Sequence, residues 1–229
     1  GPAHAAASLR SPFALAARLQ RGTVIAWVIG VAVMGAAYGA IADSIQQFVE
    51  DNPTMADLMT AGGGTLVESY LAMSVRITAL LGSGFVVQSV LRVRSEESSG
   101  RAEPVLATGV SRLRWGASHV AVTVLGSVVV QLVGALAMGI GAAATVGDAG
   151  LIGRVLGASL AYLPATWVLA GLAAFLVGLL PERSPIAWAG LGVAFVLAYL
   201  GPVLDLPQLV DDVSPFQHVP SMPAAGFAW

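Results

Sequence analysis

Arg92-Val-Arg-Ser-Glu-Glu-Ser-Ser-Gly-Arg-Ala-Glu-Pro-Val-Leu-Ala-Thr-Gly-Val-Ser-Arg-Leu-Arg-Trp115 decides the fold, because it is a dense island of charge between two long apolar runs. It holds five of the eleven basic residues and three of the thirteen acidic ones. In a membrane protein, arginine in a short loop between spans marks the cytoplasmic side. The segment 92–115 is therefore expected to face the cytoplasm and to meet any cytoplasmic partner.

Composition agrees with a membrane setting. Hydrophobic residues make up 56% of the chain without counting glycine, and charged residues only 10%, against about 25% charged in ordinary soluble domains. A soluble chain of this length could not cover its surface with so few charges. Cysteine is absent and all the positive charge is arginine, which excludes disulfides, cysteine metal chemistry and a phosphate loop that needs lysine. The chain starts Gly1-Pro2 rather than with Met, as a processed fragment or a protease scar would. No signal peptide is expected.

Crossing about 30 Å of hydrocarbon takes roughly 20 helical residues. Five apolar runs qualify, at 23–42, 70–91, 115–145, 156–180 and 185–204. Helices are expected throughout, since open sheet edges are untenable in lipid and the runs lack barrel alternation. The fold class is all-α, a polytopic transmembrane helical domain of about five spans. Ahead of it, Ser11-Pro12 reads as a helix cap followed by proline. The mixed segment 13–21 fits either a short interfacial helix or a plain extension of the first span. The chain thus divides into an N-terminal segment 1–22, a transmembrane domain 23–204 and an extracytoplasmic segment 205–229.

Loop charges alternate as a fixed topology requires. Arg10, Arg18 and Arg21 precede the first span, whereas Asp43, Glu50, Asp51, Asp57 and Glu68 follow it without an arginine. The arginine island comes next, and the tail from 205 carries three aspartates and no arginine. Arg154 alone breaks the pattern. The expected orientation has the N-terminus in the cytoplasm. In the loop before the second span, Asn52-Pro53 and Gly62-Gly63-Gly64 interrupt helices.

Few residues at membrane depth carry chemistry. Arg76 either snorkels or pairs, with Glu68 two turns away, or lines a substrate path. Gln88, Gln131, Ser127, Thr166 and His119 read first as interhelical glue, and Pro164 is expected to kink the fourth span. Arg76, Gln88, Gln131 and Pro164 are the candidate path residues. Glycine spacings around Gly30 to Gly35 and Gly134 to Gly139 suggest close helix packing. His4, His119 and His218 are too dispersed to share a metal, and no catalytic set or mid-membrane carboxylate is present. That absence points to an outside energy source.

Within the island, Gly100 can start a turn, Glu103-Pro104 a short helix, Gly109 can end it and Ser111 can cap the next. Glu96, Glu97, Gly100, Arg101, Glu103 and Arg112, together with the spaced Leu106-Ala107 and Val110-Ser111, resemble ABC exporter permeases of the type 2 class. The later motif Ser214-Pro215-Phe216-Gln217-His218-Val219-Pro220 carries the same resemblance, more narrowly to actinobacterial permeases described as polyketide antibiotic exporters. The likeness covers essentially the whole chain from Ser11.

That resemblance implies one half of a two-half permease, its last helix absent, in a bacterial cytoplasmic membrane. It implies a coupling helix formed by the six island residues and docked on a separate ABC-type ATPase, itself a dimer holding ATP and Mg, while this chain binds no cofactor. Ser214, Pro215, Phe216, His218 and Pro220 would lie outside. The expected partners are that ATPase, a second permease half, lipid and a hydrophobic small molecule, with no nucleic acid. The competing expectations are a self-sufficient channel or secondary transporter, and a membrane scaffold that recruits a partner without transport.

Overall fold

The structure is a computed structural model that describes residues 11–45, 64–204 and 212–224. Its elements are α1 (Pro12–Ala40), α2 (Leu66–Ser98), the single-turn α3 (Glu103–Leu106), α4 (Arg112–Val146), α5 (Gly150–Ala161), α6 (Leu163–Leu179) and α7 (Ala187–Leu204). Two 3-10 turns, Pro181–Ile186 and Pro215–His218, are also present among the described residues. The expectations placed on His4, Arg10, Glu50, Asp51, Asp57, Asn52-Pro53, Gly62-Gly63 and 225–229 lie outside the described residues.

Local signals set the helix ends. Ser11 Oγ accepts from the Ala14 amide at 3.1 Å, with Pro12 opening α1. Thr65 and Glu68 form a reciprocal capping box at the start of α2, satisfying two amides that a helix start otherwise leaves bare. Gly147, at φ 82°, closes α4, a conformation that costs glycine little.

Four stretches among the described residues are long and apolar enough to cross a membrane: Pro12–Ala40, Leu66–Ser98, Arg112–Val146 and Gly150–Leu179. The fifth expected span corresponds to α7, an apolar helix of 18 residues. The protein is all-α and polytopic, as composition required. Its outward faces say the same. Ile25, Ile29 and Val33 expose a stripe along α1, and Val168, Leu172, Phe175 and Leu179 another along α6, faces that only lipid or other apolar partners can cover.

α2 is the central helix, buried along most of its length between α1, α4 and α6. α1 lies tightly along α4. A Cβ on Gly35 would collide with the Gly134 carbonyl, and one on Gly39 with the Met138 carbonyl, at 2.9 Å from the Ala142 nitrogen. Small residues allow such backbone contact where lipid supplies no hydrophobic drive between helices. The pairing uses Gly35, Gly39 and Gly134, whereas Gly30 faces open space and Gly139 packs on Ile152.

Two expectations change. No separate interfacial helix occupies 13–21, because α1 runs unbroken from Pro12 to Ala40, and these residues are its first turns. Gly22, just after them, costs the helix about 1 kcal/mol without breaking it. Gln20, fully buried, donates from Nε2 to the His119 carbonyl at 3.2 Å and so clamps the segment to α4. The fourth span, expected from 156, begins at Gly150 and breaks at Tyr162. Pro164 there has no amide to offer the carbonyl four residues back.

The bundle has two chemically distinct ends. One carries the start of α1, the α2–α4 connection and the α6–α7 turn, with the arginine island. The opposite end holds Glu68, Asp148 and Arg154. Arg154 Nη1 donates to Glu68 Oε1 at 2.9 Å, and Nη2 pairs with Asp148. The arginine that broke the charge pattern is thereby neutralised by two carboxylates.

Candidate functional site

The arginine-rich end is a built structure. α2 continues as helix through Ser98, so Arg92, Glu96 and Glu97 sit on its last turns. Gly100, at φ 71°, turns the chain. Glu103–Leu106 forms one helical turn with Pro104 in its first positions, Gly109 at φ 83° ends it, and Ser111 Oγ accepts from the Arg114 amide at 3.3 Å to start α4. A left-handed backbone at both turn points explains glycine there.

Beneath this tip lies a small apolar core of its own. Val93, Ala102 and Trp115 are buried together, with Val105, Leu106, Val110 and Val177 packed against them. Trp115 also meets His119 edge-on at 5.0 Å between ring centroids. The segment is thus anchored to both flanking helices and to α6.

The six island residues divide by burial. Glu96 has a side chain only 7% exposed, and its two oxygens accept from Arg92 Nε at 3.3 Å and Arg101 Nε at 2.8 Å. Glu97, half-buried, pairs with Arg112 at 3.4 Å. These carboxylates brace the tip. Arg101 and Arg112 side chains are 58% and 77% exposed, and Glu103, Pro104, Ala107 and Thr108 are exposed with them. Sequence reasoning missed Leu113, which is 83% exposed between Arg112 and Arg114. Its signal was available: Trp115 is buried, and a residue two positions earlier lies across the helix from it.

The other candidates are distributed through the bundle. Gln88 is exposed, and its Oε1 accepts from Trp27 Nε1 at 2.7 Å. Gln131 is buried in a polar chain, its Nε2 donating to Thr166 Oγ1 at 2.8 Å and its Oε1 accepting from Ser159 at 3.2 Å, while Thr166 meets Ser83 at 3.1 Å. The structure brings neither glutamine to Arg76.

Arg76 does not pair with Glu68. Its Nε donates to the Tyr162 hydroxyl at 3.3 Å and its Nη2 to Ser221 Oγ at 3.0 Å, tying α2 to the α5–α6 break and to the C-terminal segment. Phe216, fully buried, stacks on Tyr162 at 6.1 Å, and His218 Nδ1 donates to the Ser214 carbonyl at 3.2 Å. Ser214 is buried, while Pro215 starts the 3-10 turn. Pro164, Val168, Pro215, His218 and Pro220 line a cavity of about 580 Å³ at this end. Two of the candidate groups, the kink proline and the C-terminal motif, therefore share one space.

Long lipid-facing helices, a two-ended charge distribution and a rigid polar tip define a multi-pass helical membrane protein. Comparison with known proteins narrows the class. The family described as "Multidrug efflux system permease Rv1217c, C-terminal domain" matches residues 9–229, and the chain belongs to that family. It is 36% identical over 231 residues to the multidrug efflux system permease protein Rv1217c of Mycobacterium tuberculosis, covering 99% of this chain. It spans 42% of that relative's length. Membership agrees with the resemblance to ABC exporter permeases carried by the island and the Ser214–Pro220 motif.

Proposed function

We propose that this chain is one transmembrane half of a drug-efflux permease, driven by ATP hydrolysis on a separate ABC-type ATPase that docks at 92–115. One observation carries the reading: an exposed tip of Arg101, Glu103, Pro104 and Leu113 stands on a braced base of Glu96, Arg92 and Trp115. A partner's push on a loosely held loop would dissipate locally. On a segment packed against α2, α4 and α6 it moves three helices, and a two-state reorientation of the bundle can follow.

In this reading the arginine-rich end and the N-terminus are cytoplasmic, in a bacterial cytoplasmic membrane. ATP and Mg belong to the ATPase dimer, and a second permease half completes the pathway. The cargo is a hydrophobic or amphipathic compound, the class that the relative's multidrug name supports. Arg76 and Gln131 are engaged in hydrogen bonds within the bundle and act as structural ties, and Gln88 is held to Trp27 through its Oε1 alone. Of the path candidates, Pro164 retains that role through the cavity it lines.

Co-purification of the full-length permease with the ATPase encoded beside it tests docking. Glu103→Arg combined with Leu113→Asp changes two exposed side chains outside the Glu96 brace and is expected to abolish recovery of the ATPase while leaving the permease folded. Undiminished recovery would move the docking surface elsewhere.

A further inference from the structure

Between the arginine-rich ends of α1 and α2 lies a second cavity, of about 420 Å³, lined by Thr23, Gln88, Ser89, Arg92, Ser95 and Arg101 and bounded by Glu96. Its volume falls within the roughly 300–1,000 Å³ range of small-ligand sites. We infer that this cavity binds a phosphate group, supplied by an anionic lipid headgroup or by free phosphate.

Donor chemistry is the first argument. Glu96 accepts from the Nε of both arginines and so holds the two guanidiniums beside the cavity. The Nη groups of Arg92 and Arg101 make no other hydrogen bond among the described residues. Each guanidinium has five N–H donors in a planar fork suited to phosphate oxygens. Two arginines against one carboxylate leave a net positive charge at the cavity.

An unsatisfied group is the second argument. Ser89 is 1% exposed, lines the cavity, and its Oγ has no hydrogen-bond partner among the described residues. A buried hydroxyl left bare costs stability, and a phosphate oxygen would satisfy it. Gln88 adds a donor. Its Oε1 already accepts from Trp27, which leaves the amide nitrogen for a ligand.

Depth is the third argument. Glu68, in the ion cluster at the opposite end, and Arg92 are 24 residues apart on one helix, about 36 Å at 1.5 Å per residue. That exceeds the about 30 Å hydrocarbon core, so the cavity opens at headgroup level on its side. Trp27 beside Gln88 fits the same boundary, where tryptophan concentrates. Basic pockets between spans at that depth suit lipid phosphates. The inference does not depend on ATP-driven transport.

The full-length permease in mild detergent would be titrated with phosphatidylglycerol or phosphatidylcholine, with bound lipid counted by native mass spectrometry. In a parallel arm, inorganic phosphate would be added while thermal unfolding is followed. Phosphatidylglycerol is expected to bind at least about tenfold more tightly than phosphatidylcholine, because both carry the phosphate but the choline cation of the latter is repelled by the two arginines. Arg92→Gln should erase that preference and Ser89→Ala weaken it about threefold, whereas Arg94→Gln, outside the cavity, should preserve it. Phosphate that raises the unfolding temperature and displaces the lipid assigns the site to free phosphate, and stabilisation or binding by lipid alone assigns it to the headgroup. Equal binding of both lipids with no phosphate response overturns the inference. So does a preference that survives both Arg92→Gln and Ser89→Ala, or one that Arg94→Gln reduces equally.

Discussion

Replacing Glu96 by glutamine separates a braced tip from a solvated loop. The change keeps the side chain's shape but removes the charge shared by Arg92 Nε at 3.3 Å and Arg101 Nε at 2.8 Å. Glu96 is buried at 7% exposure, while the arginine side chains are 34% and 58% exposed. Hydrogen bonds to charged groups contribute about 1.5–3 kcal/mol, and fully exposed ion pairs about 0–1 kcal/mol. With one partner buried and two wet, the pair of bonds is worth about 2 kcal/mol together. A neutral amide oxygen retains about 0.5–1 kcal/mol of this. The net loss is near 1.4 kcal/mol, or about a tenfold rise in the opened population. Limited trypsinolysis reads that population directly when reclosing is fast. The chain has no lysine, so every tryptic site is an arginine, and the bond after Arg101 leads into Ala102, which is 4% exposed beside Trp115. Cleavage there should accelerate about tenfold in Glu96→Gln, with cleavage after Arg183 unchanged. Glu103→Gln, at an exposed position without an ion pair, is the control and should match wild type. A rate for Glu96→Gln within twofold of wild type, or an equal acceleration in the control, would refute the brace.

Two further outcomes follow from packing. Gly39→Leu forces a side chain onto the Met138 carbonyl and the Ala142 backbone, so α1 and α4 must part. A loss of about 1–3 kcal/mol is expected, visible as a lower Tm in detergent, while Gly30→Leu, which meets open space and improves helix propensity, should not lower Tm. Phe216→Ala empties a fully buried site against Tyr162 at about 3–5 kcal/mol. Proteinase K cleavage within 212–224, which does not depend on the removed aromatic residue, should then rise well before the helices unfold.

The fold was legible where the signal is local. Apolar length gave the spans, Ser11-Pro12 and Ser111 gave helix starts, and Gly100 and Gly109 gave turns whose left-handed backbone only glycine adopts freely. Partners far apart in sequence were not legible. Gln20 looks like one polar residue among Arg18 and Arg21, yet its bond to His119, 99 residues away, buries it and merges 13–21 into α1. The adjacent pair Glu96-Glu97 reads as one acidic patch. On a helix neighbouring side chains diverge by about 100°, so one carboxylate turns into the bundle and the other stays at its rim. Nothing in the pair itself says which.

Arg76 shows why proximity in sequence misleads at membrane depth. Glu68 is the nearest carboxylate, but eight helical residues separate them by about 12 Å. Glu68 is moreover committed, since its Oε2 accepts from the Thr65 amide at 2.9 Å and its Oε1 from Arg154. Arg76 therefore has to satisfy its guanidinium with neutral groups, and it takes the Tyr162 hydroxyl and Ser221. Tyr162 stands at the helix break that Pro164 imposes, and its ring stacks on Phe216. One half-buried charge thus fastens the kink in the fourth span to the C-terminal segment, and the cavity bordered by Pro164 and His218 lies between the two parts it holds together. Any motion that opens that cavity has to stretch or break these hydrogen bonds to neutral acceptors, which yield more readily than an ion pair with a carboxylate would. The pairing that sequence proximity favoured would have anchored Arg76 to the Arg154 cluster and left the C-terminal segment without this tie.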